Sequence, residues 1–298
     1  MNKLKLFVYF LVLFIGVQWI ISYVLGMITL QSNFRYSMLY SNKDMDYNIL
    51  CVGNSRATHS FYTPYLNDAY DANAYNFSYN SLKLGVIKVL LEDYLDRYQN
   101  PETVFLEVSE VFSPDSANQF VKYNLYGGYS SRLEDAILQE DPVSHYITEI
   151  FPLYRYNTEL FQRSLYYLNK SDQSWINRYT ISEELNLLEL EGEMESFSIN
   201  ASNLETLNEI VSLLKESHIE VQLYIAPYLP NYLSHISNLD DQLELLESKT
   251  GLSILDLSGS LIETDNFSDR IHLNEKGTKV VGDLLMKHVN RSDLEFEK

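Results

Sequence analysis

The sequence predicts an α/β sandwich built on a parallel sheet, because two kinds of segment alternate along most of the chain. Short apolar runs have the length and composition of buried strands, and longer segments between them carry apolar residues at helical spacing. The first run, residues 47–52, ends at Gly53, as expected of a strand that is buried on both faces. Strands that alternate with helices favour a parallel sheet with helices packed against it.

Five strands are predicted, at residues 47–52, 72–77, 103–108, 220–226 and 253–257. Helices are predicted at residues 57–66, 82–98, 203–217, 239–248 and 274–289, the first of them interrupted by Pro64. Asn274 is the expected N-cap of the last helix, because its side chain can accept a hydrogen bond from an amide of the first turn. Residues 113–199 show no clear strand and are rich in tyrosine, which indicates a mainly helical insertion.

The N-terminus carries a candidate transmembrane helix. Residues 6–30 contain no charged side chain, and about 20 helical residues are enough to cross a bilayer core. Lys3 and Lys5 precede this stretch, which favours a cytoplasmic N-terminus and places the rest of the chain outside the cytoplasm. A cleaved signal peptide is the alternative, but the apolar stretch is long and no clear small-x-small cleavage site follows it.

The chain is therefore expected to have three parts. Residues 1–30 form a cytoplasmic tip and a transmembrane anchor, and the polar residues 31–46 form a spacer. Residues 47–298 form the α/β domain, with the insertion at about 113–199. The expected location is the cell membrane, crossed once, with this domain extracytoplasmic.

Composition excludes several kinds of function. Asp and Glu number 41 against 22 Lys and Arg, for a net charge of −19, so no basic surface is expected to bind nucleic acid. The only cysteine, Cys51, lies in the first strand and is expected to be a buried small hydrophobic residue, with no intrachain disulfide. No metal site or cofactor is predicted, because four histidines lack metal-ligand spacing: His145, His218, His235 and His288.

Two short motifs predict a nucleophilic serine site. Ser55 follows the first strand by a few residues, and Asp269 and His272 follow the fifth. Ligands of parallel α/β sheets bind beyond the carboxyl ends of the strands, so both motifs belong to the same edge. A serine hydroxyl needs a base to take its proton, imidazole is suited to that task, and a carboxylate three residues away can hold the imidazole tautomer. The amide of Ser55, at a helix start, is a local donor for an oxyanion.

These residues resemble the SGNH (GDSL-type) hydrolases. The sequence Gly53-Asn54-Ser55 looks like that family's Gly-Asp-Ser block, and the sequence from Asp269 to Asn274 looks like its last block, Asp-x-x-His-Leu. The resemblance covers roughly residues 47–290. It implies a flavodoxin-like three-layer sandwich with about five parallel strands, and acyl transfer through an acyl-serine.

More narrowly, the single anchor and the sequence Gly53-Asn54-Ser55-Arg56 resemble membrane-anchored SGNH-like proteins of bacterial envelope polymer modification. They include relatives of the teichoic acid D-alanylation protein and of polysaccharide O-acetyltransferases. Some of the family's features are absent, because Asn54 replaces the usual Asp, Ser81 stands where the second block (here residues 76–81) has Gly, and the third block (here residues 106–111) lacks its Asn. Candidate oxyanion donors are the side chain of Asn80 and the backbone amide of Ser81.

Other residues near the motifs have both a functional and a structural interpretation. Arg56 is a candidate to bind an anionic substrate, with a surface ion pair as the alternative, and Asn76 of the second block is a further substrate-binding candidate. His59 lies one helical turn after Ser55 and either faces the pocket or has a structural role. Tyr126 belongs to a tyrosine-rich stretch that forms either an aromatic platform for a sugar or part of the packing of a core or lid.

The expected function is an extracytoplasmic serine esterase or O-acyltransferase. It would act through an acyl-serine on an acyl ester and a carbohydrate or cell-envelope glycopolymer. The candidate partners are the membrane, reached through the N-terminal helix, and a membrane-bound acyltransferase. One alternative is a weakly active or inactive protein of the same fold that binds or assembles the modification machinery. Another is a lipase-like enzyme, which only the anchor suggests.

Overall fold

A computed structural model describes residues 3–41, 43–115, 119–171 and 176–295, with side chains up to residue 289. The chain forms two compact units. One contains Met1–Met45 and Ser116–Asp172, and we call it the N-terminal unit. The other contains Asp46–Asp115 and Gln173–Lys298, and we call it the sandwich unit.

The sheet lies in the sandwich unit and has five strands: β1 (Ile49–Val52), β2 (Ala74–Asn76), β3 (Thr103–Glu107), β4 (Glu220–Ile225) and β5 (Ile254–Asp256). The helices are α1 (Lys3–Gln31), α2 (Arg35–Leu39), α3 (Ser55–Thr58), α4 (Thr63–Tyr70), α5 (Leu84–Leu95), α6 (Asn124–Gly127), α7 (Ser131–Glu140), α8 (Pro142–Ile150), α9 (Glu159–Tyr166), α10 (Glu183–Leu188), α11 (Ala201–Glu216), α12 (Pro230–Leu233), α13 (Leu239–Thr250) and α14 (Glu275–Glu295).

The predicted α/β fold is confirmed. The strand order is β2-β1-β3-β4-β5, every neighbouring pair is parallel, and helices flank the sheet. This order is the flavodoxin-like one. Helix α5 contacts α11, and α14 contacts α4, as expected of two helical layers that right-handed crossovers place on opposite faces.

Burial explains why these segments are strands. Every residue of β1, β2 and β3 is buried, and the side chains of central parallel strands are covered on both faces. Cys51 is fully buried, as expected, with its sulfur 3.4 Å from the Tyr224 hydroxyl. Strand β4 changes from an exposed start at Glu220 to a buried end at Ile225, so its carboxyl half is the part that lies in the core.

The predicted helix at residues 57–66 is in fact two helices. Helix α3 ends at Thr58, and α4 begins at Thr63 with Pro64 in its first turn. Proline has no backbone N–H, and this is harmless only in the first turn of a helix, where that N–H has no partner within the helix. Helix α3 is therefore a single short turn that starts at the candidate nucleophile.

The N-terminal unit contains α1, α2 and α6–α9. Among the described residues, α1 alone is long and apolar enough to cross a membrane, and a signal sequence near an N-terminus would have the same character. Residues 31–46, expected to be a spacer, include α2, whose Tyr36, Ser37 and Leu39 are fully buried. The predicted insertion is mainly helical where it is described, but it is divided, because its part from residue 176 onward belongs to the sandwich unit.

Candidate active site

The turn after β1 presents Ser55 at the carboxyl edge of the sheet. Gly53 adopts φ +154°, and a Cβ atom there would lie 2.7 Å from the Cβ of Ala57 and 3.0 Å from the Cβ of Glu107. The first separation is shorter than real Cβ contacts and the second is tighter than most of them, so glycine lets the strand pass this close to α3 and β3. Ser55 is the first residue of α3 and is only partly buried.

Asn54 caps the short helix that carries the serine. Its side-chain oxygen accepts a hydrogen bond from the Arg56 amide at 2.9 Å. Its amide nitrogen donates to the Glu110 carboxylate at 3.1 Å and to the Ser109 hydroxyl at 3.3 Å. The orientation of the side-chain amide follows from these partners. An asparagine therefore fits here for a physical reason, since an aspartate would face the carboxylate of Glu110.

The structure brings Ser55, His272 and Asp269 into one hydrogen-bonded chain. The Oγ of Ser55 lies 2.7 Å from Nε2 of His272, and Nδ1 of His272 lies 2.8 Å from Oδ2 of Asp269. Both distances are those of short hydrogen bonds. The carboxylate can only accept, so Nδ1–H donates to Asp269 and Nε2 accepts from the serine hydroxyl.

The loop that carries Asp269 and His272 is held by its own backbone. Oδ1 of Asp269 accepts from the amides of Ile271 and His272, both at 2.9 Å, which leaves Oδ2 for the imidazole. The loop closes with a bridge between Phe267 and Leu273. Asp269 thus stabilises the turn of its own loop and orients the imidazole of His272. Both interactions are possible because Asp269 and His272 are three residues apart.

The environment of Asp269 favours its charged form. Burial acts to raise the pKa of this carboxyl, but the hydrogen bond from His272 and those from the Ile271 and His272 amides outweigh it, so the pKa lies below its ordinary value. An ionised Asp269 holds the proton of His272 on Nδ1. It also stabilises the imidazolium that forms when His272 acts as a base.

Arg56 is buried beside the nucleophile, which corrects the alternative that it forms a surface ion pair. Its side chain is 4% exposed, and its Nε lies 3.1 Å from Oε1 of the fully buried Glu107. Its Nη1 donates to the Ile271 carbonyl at 3.4 Å, its Nη2 donates to the Ala226 carbonyl, and its guanidinium stacks on the Tyr228 ring at 3.6 Å. Arg56 therefore ties α3 to the ends of β3 and β4 and to the loop of His272, and its guanidinium is occupied by protein groups.

Glu107, the last residue of β3, is a member of the site that sequence analysis missed. Besides the arginine it accepts hydrogen bonds from the Ser109 hydroxyl at 2.6 Å, the Ser109 amide at 3.2 Å and the Ala226 amide at 3.3 Å. A buried carboxylate with a guanidinium and several donors is well compensated. The available signal was a lone glutamate at the carboxyl end of an otherwise apolar strand.

The candidate oxyanion donors lie on a loop beside the nucleophile turn. The Tyr79 amide donates to the Gly53 carbonyl at 3.2 Å, which joins this loop to that turn. Asn80 and Ser81 follow, and both are exposed. Ser81 has φ +55°, a left-handed conformation that glycine adopts most easily, and this is the position where the family's second block has Gly. Their role as donors stays a prediction.

Asn76 uses its polar atoms on the protein backbone. Its amide nitrogen donates to the carbonyls of Ala57, Thr58 and Phe61, at 3.3, 3.2 and 2.7 Å, and its oxygen accepts from the Ser78 amide at 3.1 Å. These bonds hold the backbone from the end of α3 to Phe61. Asn76 thus holds the backbone of the short helix that carries Ser55.

Two other candidates are held away from a substrate. The Tyr126 ring is fully buried in the N-terminal unit, with its hydroxyl 2.8 Å from that of Ser37 and 2.9 Å from that of Ser164, so no ring face is open to a sugar. His59 is buried, and its ring centre lies 4.8 Å from that of His272. In the described part of the chain, no group of three or more His, Cys, Asp or Glu side chains could hold a metal ion.

Comparisons with known proteins give little further information. No protein-family model matches the chain, and no curated protein is found as a relative. Among solved structures, the chain is similar to a Bacteroides fragilis protein provisionally assigned as an acylhydrolase, with 11% identity, 87% of this chain and 95% of that chain covered, and a TM-score of 0.43. A likeness at this level carries no argument, so the function has to be argued from the site.

Proposed function

We propose that this protein is a serine acyl-transfer enzyme in which Ser55 is the nucleophile, His272 the general base and acid, and Asp269 the residue that orients His272. The observation that carries the proposal is the unbroken chain of hydrogen bonds, 2.7 Å from Ser55 to His272 and 2.8 Å from His272 to Asp269. Nucleophile, base and orienting group at these distances are the geometric signature of an activated serine.

In the first half-reaction Ser55 Oγ attacks the carbonyl carbon of an acyl ester. The proton of the hydroxyl passes to Nε2 of His272 as the new C–O bond forms. The ester C–O bond then breaks, and the leaving alkoxide takes the proton from Nε2, which releases an alcohol and leaves an acyl-serine. Asp269 stabilises the imidazolium between these two proton transfers.

In the second half-reaction a hydroxyl group attacks the acyl-serine. Water gives a carboxylic acid, and a carbohydrate hydroxyl gives a new ester. The attacking hydroxyl passes its proton to Nε2 of His272, and that proton returns to Ser55 Oγ when the acyl-serine bond breaks. The same residues therefore serve esterase and O-acyltransferase chemistry, and the acceptor decides between them.

The oxyanion that forms in each step needs hydrogen-bond donors. The Arg56 amide is engaged, because it donates to the side chain of Asn54. The amide of Ser55 is therefore the oxyanion donor that we propose from α3. The backbone amide of Ser81 and the side chain of Asn80 are proposed from the neighbouring loop. Loss of one oxyanion donor costs on the order of 10²–10³ in kcat, so these groups decide the rate of the enzyme.

The proposed setting is the outer face of a cell membrane, with an acylated glycopolymer as substrate or acceptor. Helix α1 supports an anchor, and two lysines before its uncharged stretch support a cytoplasmic N-terminus. The resemblance of the serine and histidine motifs to envelope polymer-modifying proteins supports the substrate class. A membrane-bound acyltransferase is the proposed source of the acyl group.

A fluorophosphonate probe tests the proposal on the full-length protein in detergent or nanodiscs. Such probes react with serines activated by a base, so we expect a covalent adduct on Ser55, located by peptide mass spectrometry, and none in Ser55→Ala. His272→Gln should also lose labelling while it keeps the serine. Equal labelling of the wild type and His272→Gln would show that His272 does not activate Ser55 and would refute the mechanism.

A second candidate function is a binding or assembly protein without chemistry. The observation that favours it is the environment of Ser109, whose hydroxyl donates to Glu107 at 2.6 Å. Ser109 lies in the block where the resembled family has its oxyanion asparagine, and this hydrogen bond engages its hydroxyl with a buried carboxylate. Absence of labelling at Ser55, together with retention of glycopolymer by the protein, would favour this second function.

A further inference from the structure

Helix α8 of the N-terminal unit is amphipathic with its apolar face turned outward. Ser144 and Thr148 face the interior and are 6% and 2% exposed. Val143, Tyr146 and Ile150, on the other side of the helix, are 67%, 60% and 53% exposed. A helix on the surface of a protein in water normally has the opposite arrangement, with its apolar stripe toward the core.

The inward polar side chains are bonded, so this orientation of α8 is built into the unit. The Ser144 hydroxyl donates to Asp141 Oδ2 at 2.6 Å, and the Asn124 amide donates to the Thr148 hydroxyl at 2.7 Å. Thr148 in turn donates to the Ser144 carbonyl at 2.8 Å. Rotating α8 to bury its apolar residues would break the bond from Asn124, which is the one of the three that joins α8 to another element, so this orientation is stabilised within the unit.

The apolar surface continues past the end of α8. Phe151 is 37% exposed and Tyr154 is 43% exposed, within the segment that leads into the short 3₁₀ helix Pro152–Tyr156. We call Val143, Tyr146, Ile150, Phe151 and Tyr154 the outward apolar face. A contiguous patch of large apolar side chains on a surface marks a site of contact with another apolar phase.

The same 3₁₀ helix is bonded to α1 within the unit. The Tyr156 hydroxyl donates to the Ser22 carbonyl at 2.6 Å. A Cβ atom on Gly26 would lie 2.7 Å from the Tyr129 hydroxyl and 3.2 Å from that of Tyr156, so glycine permits this packing. Thr29 is also buried on this side of α1, whereas the residues from Lys3 to Val17 are almost all exposed.

These contacts fix the depth of the outward apolar face if α1 spans a bilayer. The uncharged stretch of α1 begins at Leu6, directly after Lys5. At about 1.5 Å per residue, Ser22 lies about 24 Å further along, inside the outer edge of a hydrocarbon core about 30 Å thick. Tyr23, the next residue on α1, is 70% exposed, and aromatic residues of this kind are typical near the membrane interface.

We propose that the outward apolar face is a lipid-docking surface, which lies near the outer boundary of the hydrocarbon core of the membrane that α1 crosses. The proposal rests on the part of the proposed function that makes α1 an anchor. The contact is apolar: the charged residues of this segment include Glu149 and Arg155, whose side chains pair with each other at 3.9 Å. The depth should therefore depend little on anionic lipid or on salt.

The test uses single cysteines labelled with an environment-sensitive fluorophore in the full-length protein, reconstituted into nanodiscs that contain only lipid. The native Cys51 is fully buried, so the label is selective for the added cysteine. Tyr146→Cys and Ile150→Cys test the face, and Phe14→Cys on α1 tests the anchor. Ile262→Cys is the matched control, an apolar residue that is 76% exposed on the sandwich unit.

We expect labels at positions 146 and 150 to emit at shorter wavelength than the label at 262, and to be quenched by lipids brominated near the headgroup. The label at 14 should be quenched by lipids brominated deep in the acyl chain. Quenching at 14 with none at 146 or 150 overturns the docking surface and leaves the anchor intact. No quenching at 14 shows that the anchor itself is wrong. A blue shift at 146 and 150 that appears only in native membranes, without lipid quenching, assigns the face to a partner protein and overturns the proposal.

Discussion

The side-chain amide of Asn54 donates a hydrogen bond to the carboxylate of Glu110 at 3.1 Å, directly beside the candidate nucleophile. Lys83 lies 2.5 Å from the other oxygen of the same carboxylate. The resembled family has an aspartate at the position of Asn54. In this protein the neighbouring glutamate makes asparagine the residue that fits, because two carboxylates at this separation cannot both be ionised without cost.

We therefore expect Asn54→Asp to lower stability by about 1–3 kcal/mol, the range for a buried polar group that loses its partner. Thermal unfolding of the purified full-length protein measures the effect. Adding Glu110→Gln should restore most of the loss, since the glutamine amide can donate to the new aspartate. If Asn54→Asp is as stable as the wild type, the bond between Asn54 and Glu110 has no energetic role.

Ser55, His272 and Asp269 should act as one unit. Ser55→Ala and His272→Ala should each lower kcat on an activated ester by roughly 10⁴–10⁶, and the double variant should lose no more than either single one, because each removes the same step. Steady-state kinetics of the three variants make this comparison. Losses that multiply in the double variant would mean that the two residues act in separate steps.

The lowered pKa of Asp269 predicts how stability depends on pH. The unfolded chain binds a proton to this carboxyl near its ordinary pKa of 3.8, whereas the folded state binds it only at lower pH. The contribution of the carboxylate to stability is therefore present above about pH 4 and is lost as the pH falls through the folded pKa.

Thermal midpoints of the wild type and Asp269→Asn should thus differ by a constant amount from pH 7 down to about pH 5, and should converge below about pH 4. A difference that already shrinks between pH 7 and pH 6 would show that another group controls it. Because Asp269 stays ionised above pH 5, loss of activity between pH 7 and pH 5 would have to come from a different group.

The effects on stability of substitutions at Arg56 and Glu107 should depend on each other. Removal of one member of a buried ion pair leaves an uncompensated charge, so Arg56→Met should lower stability by about 3–5 kcal/mol. The double variant Arg56→Met/Glu107→Gln should recover most of that loss, because neither charge of the buried pair remains. Thermal unfolding provides the measurement, with the surface variant Lys88→Met as control, since the Lys88–Glu209 pair is exposed.

Activity separates the two roles of Arg56. If the guanidinium positions the His272 loop through the Ile271 carbonyl, the double variant should be stable yet keep a lowered kcat with little change in KM. Arg56→Lys should also be slow, because an ammonium cannot reach several acceptors in the fixed fork of a guanidinium. A stable double variant with the kcat of the wild type would limit Arg56 to a structural role.

Much of the fold could be predicted because its signals are local. Buried parallel strands have apolar runs, and amphipathic helices have apolar residues at helical spacing. The boundaries of the five strands lie within two residues of where these patterns predict them. The helix predicted at residues 57–66 with an interruption at Pro64 is two helices in the structure, because the proline stands in the first turn of α4. The division of residues 113–199 between two units depends on packing between distant segments, which a local sequence pattern does not indicate.

The residues of the candidate site could likewise be predicted where the signal was local or followed from the parallel sheet. Ser55 precedes His272 by 217 residues, yet both follow parallel strands, and the carboxyl ends of parallel strands share one edge. Asp269 could be paired with His272 because a turn brings side chains three residues apart together. Arg56 and Asn76 are substrate-binding candidates by sequence, but their partners in the structure are Glu107 and backbone carbonyls, which no spacing identified.

The sequence by itself determined the order of strands and helices, the apolar α1 and the edge at which Ser55, Asp269 and His272 lie, because periodicity and turn chemistry act over a few residues. Only the tertiary structure decided that Arg56 is buried on Glu107, that Asn54 donates to Glu110 and that α8 turns its apolar face outward. Those outcomes depend on which residues from distant segments become neighbours. Strand register and helix packing set that choice, and both depend on the whole chain.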